Sequence, residues 1–185
     1  MAKLGKILKI VLVISILSVL ALLAVNMMKQ DHKELEELVK TDAFNEAYLV
    51  SSDVRTHAPG GNNGFSENGG LYSYSLYYIE SAGYLQITVR YNEKHMADVK
   101  ENYPTFDVDT IRYTLSDQNG TVYDATVVKT ASKYHYEYLK LEFTGVDFGE
   151  NTLKLNMVID VLSDVIGEKN SVVLHKPDQE SIPAQ

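Results

Sequence analysis

Tyr134, Tyr136 and Tyr138 stand at alternate positions in the stretch SKYHYEYLKLEF, Ser132 to Phe143, with His135 between the first two. A phenolate can ligate haem iron, and a phenol ring can stack on a flat ligand, so this row is the first candidate for chemistry. In a β-strand, alternate residues share a face. Leu139, Leu141 and Phe143 claim the core face, which leaves the tyrosines in an outward, half-buried row with wet hydroxyls. Lys140 and Glu142 are expected to continue that outward row into water. The plain reading is a strand face; the functional one is a small-ligand or haem-binding surface built from Tyr134, Tyr136 and Tyr138.

Other residue types converge less. His32, His57, His95, His135 and His175 are dispersed, without the HxH or HExxH spacing of a zinc site. Asp107 and Asp109, Asp117 and Asp124, and Asp160 and Asp164 lack the dense oxygen-ligand spacing of a calcium loop and read as solvated loop acids. No GxSxG nucleophile elbow occurs. The Gly60-Gly61 and Gly69-Gly70 pairs lack the Lys-Ser/Thr and helix of a phosphate loop. With no cysteine, disulfides, thiolate metal sites and cysteine nucleophiles are excluded together. The sequence therefore points to no catalytic residues, no metal and no cofactor, and an enzyme of unknown class stands as a third reading behind an interaction module and the ligand-binding face.

The elements that would position the tyrosines divide the chain in two. Ile10 to Met28 carries no charge and is close to the roughly 20 residues a membrane-spanning helix needs. Lys3, Lys6 and Lys9 precede it, which places residues 1–9 in the cytoplasm and the remainder across the membrane. The segment 10–28 reads as an uncleaved signal anchor. The competing reading is a signal peptide cleaved after Ala21 or Ala24. Residues 29–47 read as a helical juxtamembrane spacer ending between Thr41 and Ala47. All 25 acids lie after residue 30, so the chain's formal −8 becomes about −12 beyond that point. Such a domain repels nucleic acid.

From residue 48 the period changes to 2. AYLVSSDVRTH is expected to supply a first strand, and residues 57–70, rich in glycine and asparagine, a flexible loop. In LYSYSLYYIE, alternation puts Tyr72, Tyr74, Leu76 and Tyr78 on one face. In YLQITVRYN it puts Leu85, Ile87, Val89 and Tyr91 inward and Gln86, Thr88 and Arg90 outward. EKHMADVKENYP reads as a connector with a helical turn. DTIRYTLSD is followed by Asn119-Gly120, a hairpin signal, and TVYDATVVK is expected as one return strand. YEYLKLEF, TLKLNMVIDV and NSVVLHK complete the set, before a polar tail over 177–185. Short strands with frequent turns and no long helix between them predict a mainly β fold, an antiparallel immunoglobulin-like β-sandwich over 48–176.

Two resemblances follow. The short basic tail, single span, Gly/Asn-rich loop and cysteine-free strands resemble small membrane-anchored extracytoplasmic Ig-like proteins of Gram-positive bacteria. YLKLEFTGVDFGENTLKLNMVID is similar to the closing strands of their domains. The spacing of Tyr134 and Tyr138 resembles that by which haem-capture domains of Gram-positive cell surfaces ligate iron. The first resemblance implies a non-catalytic interaction or structural module on the cytoplasmic membrane, with a protein or cell-envelope partner. The second implies a haem-binding face.

Overall fold

The protein's architecture comes from a computed structural model, which describes residues 2–57, 71–102, 104, 111–117, 119–148, 153–158 and 171–174. The chain divides into two compact units, residues 1–37 and 38–185. Pro59 to Gly70 and the tail over 177–185 lie outside the described residues, as do Asp107, Asp109, Ile159, Asp160, Asp164 and His175.

The first unit is one helix, α1 (Ala2–Glu36), 35 residues long. At 1.5 Å per residue it extends roughly 50 Å, beyond the ~30 Å of a bilayer's hydrocarbon core. Apolar side chains from Ile10 to Met28 are exposed all round it, so it has no sidedness. Ser18 donates its hydroxyl to the Ile14 carbonyl at 2.9 Å, which satisfies a polar group without water. By length and composition the helix can cross a membrane.

The second unit opens with a short helix, α2 (Asp42–Val50). The sequence reading ends a helix in this region and begins a strand at AYLV; the opposite occurs. Thr41 is an N-cap whose hydroxyl oxygen accepts from the Phe44 N–H at 3.0 Å, so a new helix starts there. Phe44 and Ala47, three apart, bury one face with Ile79 and Tyr84. Strand β1 (Arg55–His57) is correspondingly short.

Two antiparallel sheets follow. Beyond β1 come β2 (Leu71–Ile79), β3 (Tyr84–Asn92), helix α3 (Glu93–Asn102), β4 (Arg112–Ser116), β5 (Val122–Asp124), β6 (Thr126–Lys133), β7 (Tyr136–Phe143), β8 (Leu153–Val158) and β9 (Ser171–Leu174). One sheet has the order β1-β2-β3-β7-β6, the other β5-β4-β8-β9. The expected single return strand TVYDATVVK is two strands, one in each sheet. The chain changes sheet at Ala125, whose N–H is held by the Tyr113 carbonyl at 3.0 Å.

Both sheets send side chains into one core. Leu76, Tyr78, Leu85, Ile87, Val89, Leu141 and Phe143 come from the first sheet, and Tyr113 and Leu115 from the second. The inward sets expected for β3, β4 and β7 are found there, with Tyr91, Ile111 and Leu139 partly buried at the margin. Helix α3, expected as a connector with one turn, runs for ten residues. The Asn92 side chain caps it by accepting from the Lys94 and His95 N–H groups, and Met96 and Val99 reach the core.

The turn between β2 and β3 depends on Gly83. Its φ is +61°, and a Cβ there would lie 2.9 Å from the Val146 carbonyl oxygen. Only glycine accommodates both. The contact lets the Val146 N–H bond the Gly83 carbonyl at 2.8 Å, anchoring the segment that buries Val146 and Phe148.

Candidate functional site

The site lies on the outer face of the five-stranded sheet, opposite the core. Pairing across β3 and β7 sets Arg90 beside Tyr138, Thr88 beside Lys140 and Gln86 beside Glu142. These six share one face because cross-strand partners do. On the other side of β3, Tyr72 stands across from Arg90, Ser73 across from Val89, and then Leu76 across from Ile87. Three steps along β2 match two along β3, which is a β-bulge. The bulge reverses the alternation. Leu76 and Tyr78 enter the core, whereas Tyr72 stands on the outer face with Arg90. The sequence reading of Tyr72, Tyr74, Leu76 and Tyr78 as one face is therefore corrected: the unbroken alternation it assumed fails at the bulge.

Around Arg90 the tyrosines close in. Its guanidinium carbon is 4.1 Å from the ring centre of Tyr136, 4.8 Å from Tyr74, 5.2 Å from Tyr72 and 6.0 Å from Tyr138. All lie within the range of cation–π attraction. Tyr72, Tyr74, Tyr136 and Arg90 are half-buried and Tyr138 is buried. The rings of Tyr72 and Tyr74 meet at 6.5 Å.

Tyr134 is not in this group. It forms, with His135, the two-residue turn between β6 and β7, with φ of 53° and 64°. Both residues occupy the left-handed region that a two-residue hairpin of this kind demands and that Asn-Gly usually fills. The His135 carbonyl accepts from the Glu93 N–H at 3.0 Å, tying the turn to the start of α3. Tyr134 is exposed, with the Lys133 ammonium 5.7 Å from its ring centre. The structure thus brings Tyr136 and Tyr138 together and leaves Tyr134 off the strand row.

The same outer face does not continue into water. Lys140 and Glu142 are buried, as are Thr88 and Gln86. Lys140 donates from Nζ to the Thr88 hydroxyl at 2.6 Å. Glu142 Oε2 accepts from the Tyr84 hydroxyl at 2.8 Å and from the Thr41 hydroxyl. Gln86 Nε2 donates to the Tyr84 hydroxyl oxygen and to the Val39 carbonyl, while its Oε1 accepts from the Val39 N–H at 2.7 Å. Residues 38–47 cover the Gln86 and Glu142 end of the sheet, so the exposure expected for Glu142 is overturned by a segment from far earlier in the chain, and the exposure expected for Lys140 is overturned by its burial beside Thr88. Burial, and then the Glu142 carboxylate, raise the Tyr84 pKa above its ordinary value, which keeps the phenol a donor.

Asp117 and Asp124 are engaged in structural contacts. Among the described residues no three His, Cys, Asp or Glu side chains converge on a metal position. Partial desolvation opposes ionisation of Asp117, but hydrogen bonds outweigh it and lower its pKa. Its Oδ1 accepts from the Asn119 and Thr121 N–H groups at 2.8 and 2.9 Å, and its Oδ2 from the Tyr123 hydroxyl. The acid therefore organises the β4–β5 hairpin, in which only Gly120, φ +82°, uses a positive φ among the described residues. Asp124 pairs with Arg112 at 3.3 Å on the surface.

Arg90, Tyr72 and Tyr74 were not singled out from the sequence. Counting back from the Gly83 turn puts Ser73 across from Arg90; the bulge substitutes Tyr72. Comparison with protein-family models, with curated proteins and with solved structures finds no match. The chemistry of the site rests on its own residues.

Proposed function

We propose that this protein is a membrane-tethered extracytoplasmic module, a non-catalytic interaction or structural domain of immunoglobulin-like sandwich architecture. The observation that carries this reading is the order of elements. An apolar helix with a basic flank ends at Glu36, and a compact β-rich unit begins at Leu38. Lys3, Lys6 and Lys9 favour a cytoplasmic N-terminus and an outer C-terminal domain.

The sandwich reading is supported by strand order. β2-β3-β7-β6 follows the A-B-E-D order of an immunoglobulin sheet, and β5-β4-β8-β9 follows C′-C-F-G. β1 is then an added edge strand and α3 an insertion between B and C. The shared core of the two sheets favours the same arrangement.

Cell fractionation tests the tether. The full-length protein is expected in membranes, retained in high salt and at alkaline pH, because apolar burial rather than charge holds it. Protease added to intact protoplasts should digest the C-terminal domain. A soluble product beginning after Ala21 or Ala24 would replace the anchor with a cleaved signal. A domain protected until lysis would reverse the orientation.

A further inference from the structure

Arg90 is a cation in none of the ion pairs among the described residues. Its Nε is buried and has no hydrogen-bond partner among the described residues. A desolvated donor left unpaired is costly, and more so on a charged group. Four phenol rings compensate part of this through their π faces, but a ring face does not accept the in-plane N–H bonds of a guanidinium. The plane of the group is held by aromatic contacts while its buried Nε–H stays unsatisfied. That is a preorganised site for an oxyanion.

Charge selects among oxyanions. The region after residue 30 carries about −12, so a multiply charged phosphate meets more repulsion than a singly charged group. One guanidinium fork matches one planar carboxylate, two bonds to two oxygens. The half-buried rings of Tyr72, Tyr74 and Tyr136 present apolar and aromatic surface around Arg90.

We propose that the outer face of the five-stranded sheet binds a monocarboxylate with a flat or apolar body: Arg90 takes the carboxylate, and Tyr72, Tyr74 and Tyr136 frame the body attached to it. The proposal deepens the interaction-module reading and does not depend on the membrane tether.

Nuclear magnetic resonance on the full chain in detergent micelles tests it. The arginines are Arg55, Arg90 and Arg112, so the Nε–H region holds few signals to assign. Sodium benzoate should shift the Arg90 Nε–H signal saturably, with a Kd of about 1 mM or tighter. Benzamide, the neutral isostere, should leave it in place, and inorganic phosphate should bind more weakly than benzoate. Arg90→Lys keeps the charge but loses the fork, and should weaken benzoate at least about tenfold. Tyr136→Leu should weaken benzoate more than acetate. A linear, unsaturated shift to about 50 mM benzoate, an equal response to benzamide, or tighter binding of phosphate would each overturn the site. Should Arg90→Lys fail to fold, the benzoate–benzamide contrast in the parent decides. Carboxylate binding by a chain that fractionates as soluble would refute the tether alone. Absence of binding in a chain that stays in membranes would refute the site alone.

Discussion

Removing one hydroxyl tests whether the Glu142 end of the sheet's outer face is sealed. Tyr84→Phe keeps the ring, which meets Phe44 edge-on at 5.6 Å, and removes only the oxygen. Two hydrogen bonds go with it: the 2.8 Å donation to Glu142 and the 2.9 Å acceptance from Gln86. A buried bond to a charged acceptor contributes about 1.5–3 kcal/mol and a neutral one about 1 kcal/mol. Gln86 keeps its bond to the Val39 carbonyl and Glu142 keeps Thr41, so neither partner is orphaned. The expected loss is about 2.5–4 kcal/mol, a large share of the 5–15 kcal/mol typical of a domain. Urea unfolding followed by circular dichroism at 218 nm or by tyrosine fluorescence measures it. The alkaline limb supplies an independent readout. Tyr84 has a raised pKa in the fold, so the stability tied to its protonated form is complete below the ordinary tyrosine pKa near 10 and is lost as pH rises above that. In Tyr84→Phe the alkaline loss should be shallower than in the parent. A cost below about 0.5 kcal/mol with an unchanged alkaline limb would mean that water reaches Glu142, and the sealed-face argument would fail.

Lys140→Asp puts a second carboxylate near Glu142 on a buried face and removes the donor to Thr88. It is expected to unfold the domain, as is Leu141→Asp in the core, and a near-parental melting temperature for Lys140→Asp would refute the burial of that face. Tyr113→Phe should be neutral or stabilising by up to about 1 kcal/mol, because the buried Tyr113 hydroxyl has no partner among the described residues; a clear loss by urea titration would point to a partner. Asp117 has a lowered pKa in the fold, so its contribution is present above about pH 4 and is lost as pH falls through the lowered value. Amide exchange at Asn119 and Thr121 should accelerate there, and in Asp117→Asn the acceleration should be absent.

How far the candidate site was legible follows from how local each signal is. The apolar helix was readable at once, because a run of uncharged residues is a property of composition. The inward sets of β3, β4 and β7 followed from period-2 alternation, which needs only the residues of one strand. A start signal for α2 was also present, with Thr41 as cap and Asp42 in the first turn, but the apolar run after it resembled a strand. The turn at Tyr134-His135 carried no Asn-Gly, since the hairpin and the bond to Glu93 impose the positive φ on residues that do not favour it.

By itself, then, the sequence determined the anchor-like helix, the β character of the remainder and which side chains of β3, β4 and β7 seek the core. All of these depend on spacing within a few residues. Only the tertiary structure decided the fate of the opposite face. The bulge between Ser73 and Leu76 is one extra residue whose effect appears only when β2 is laid against β3, and it brings Tyr72 rather than Ser73 to Arg90. Thr41 and Val39 seal Glu142 and Gln86 from 101 and 47 residues away in the chain. An alternating strand states that one face is polar; whether that face meets water or another segment is set by which parts of the chain fold back over it.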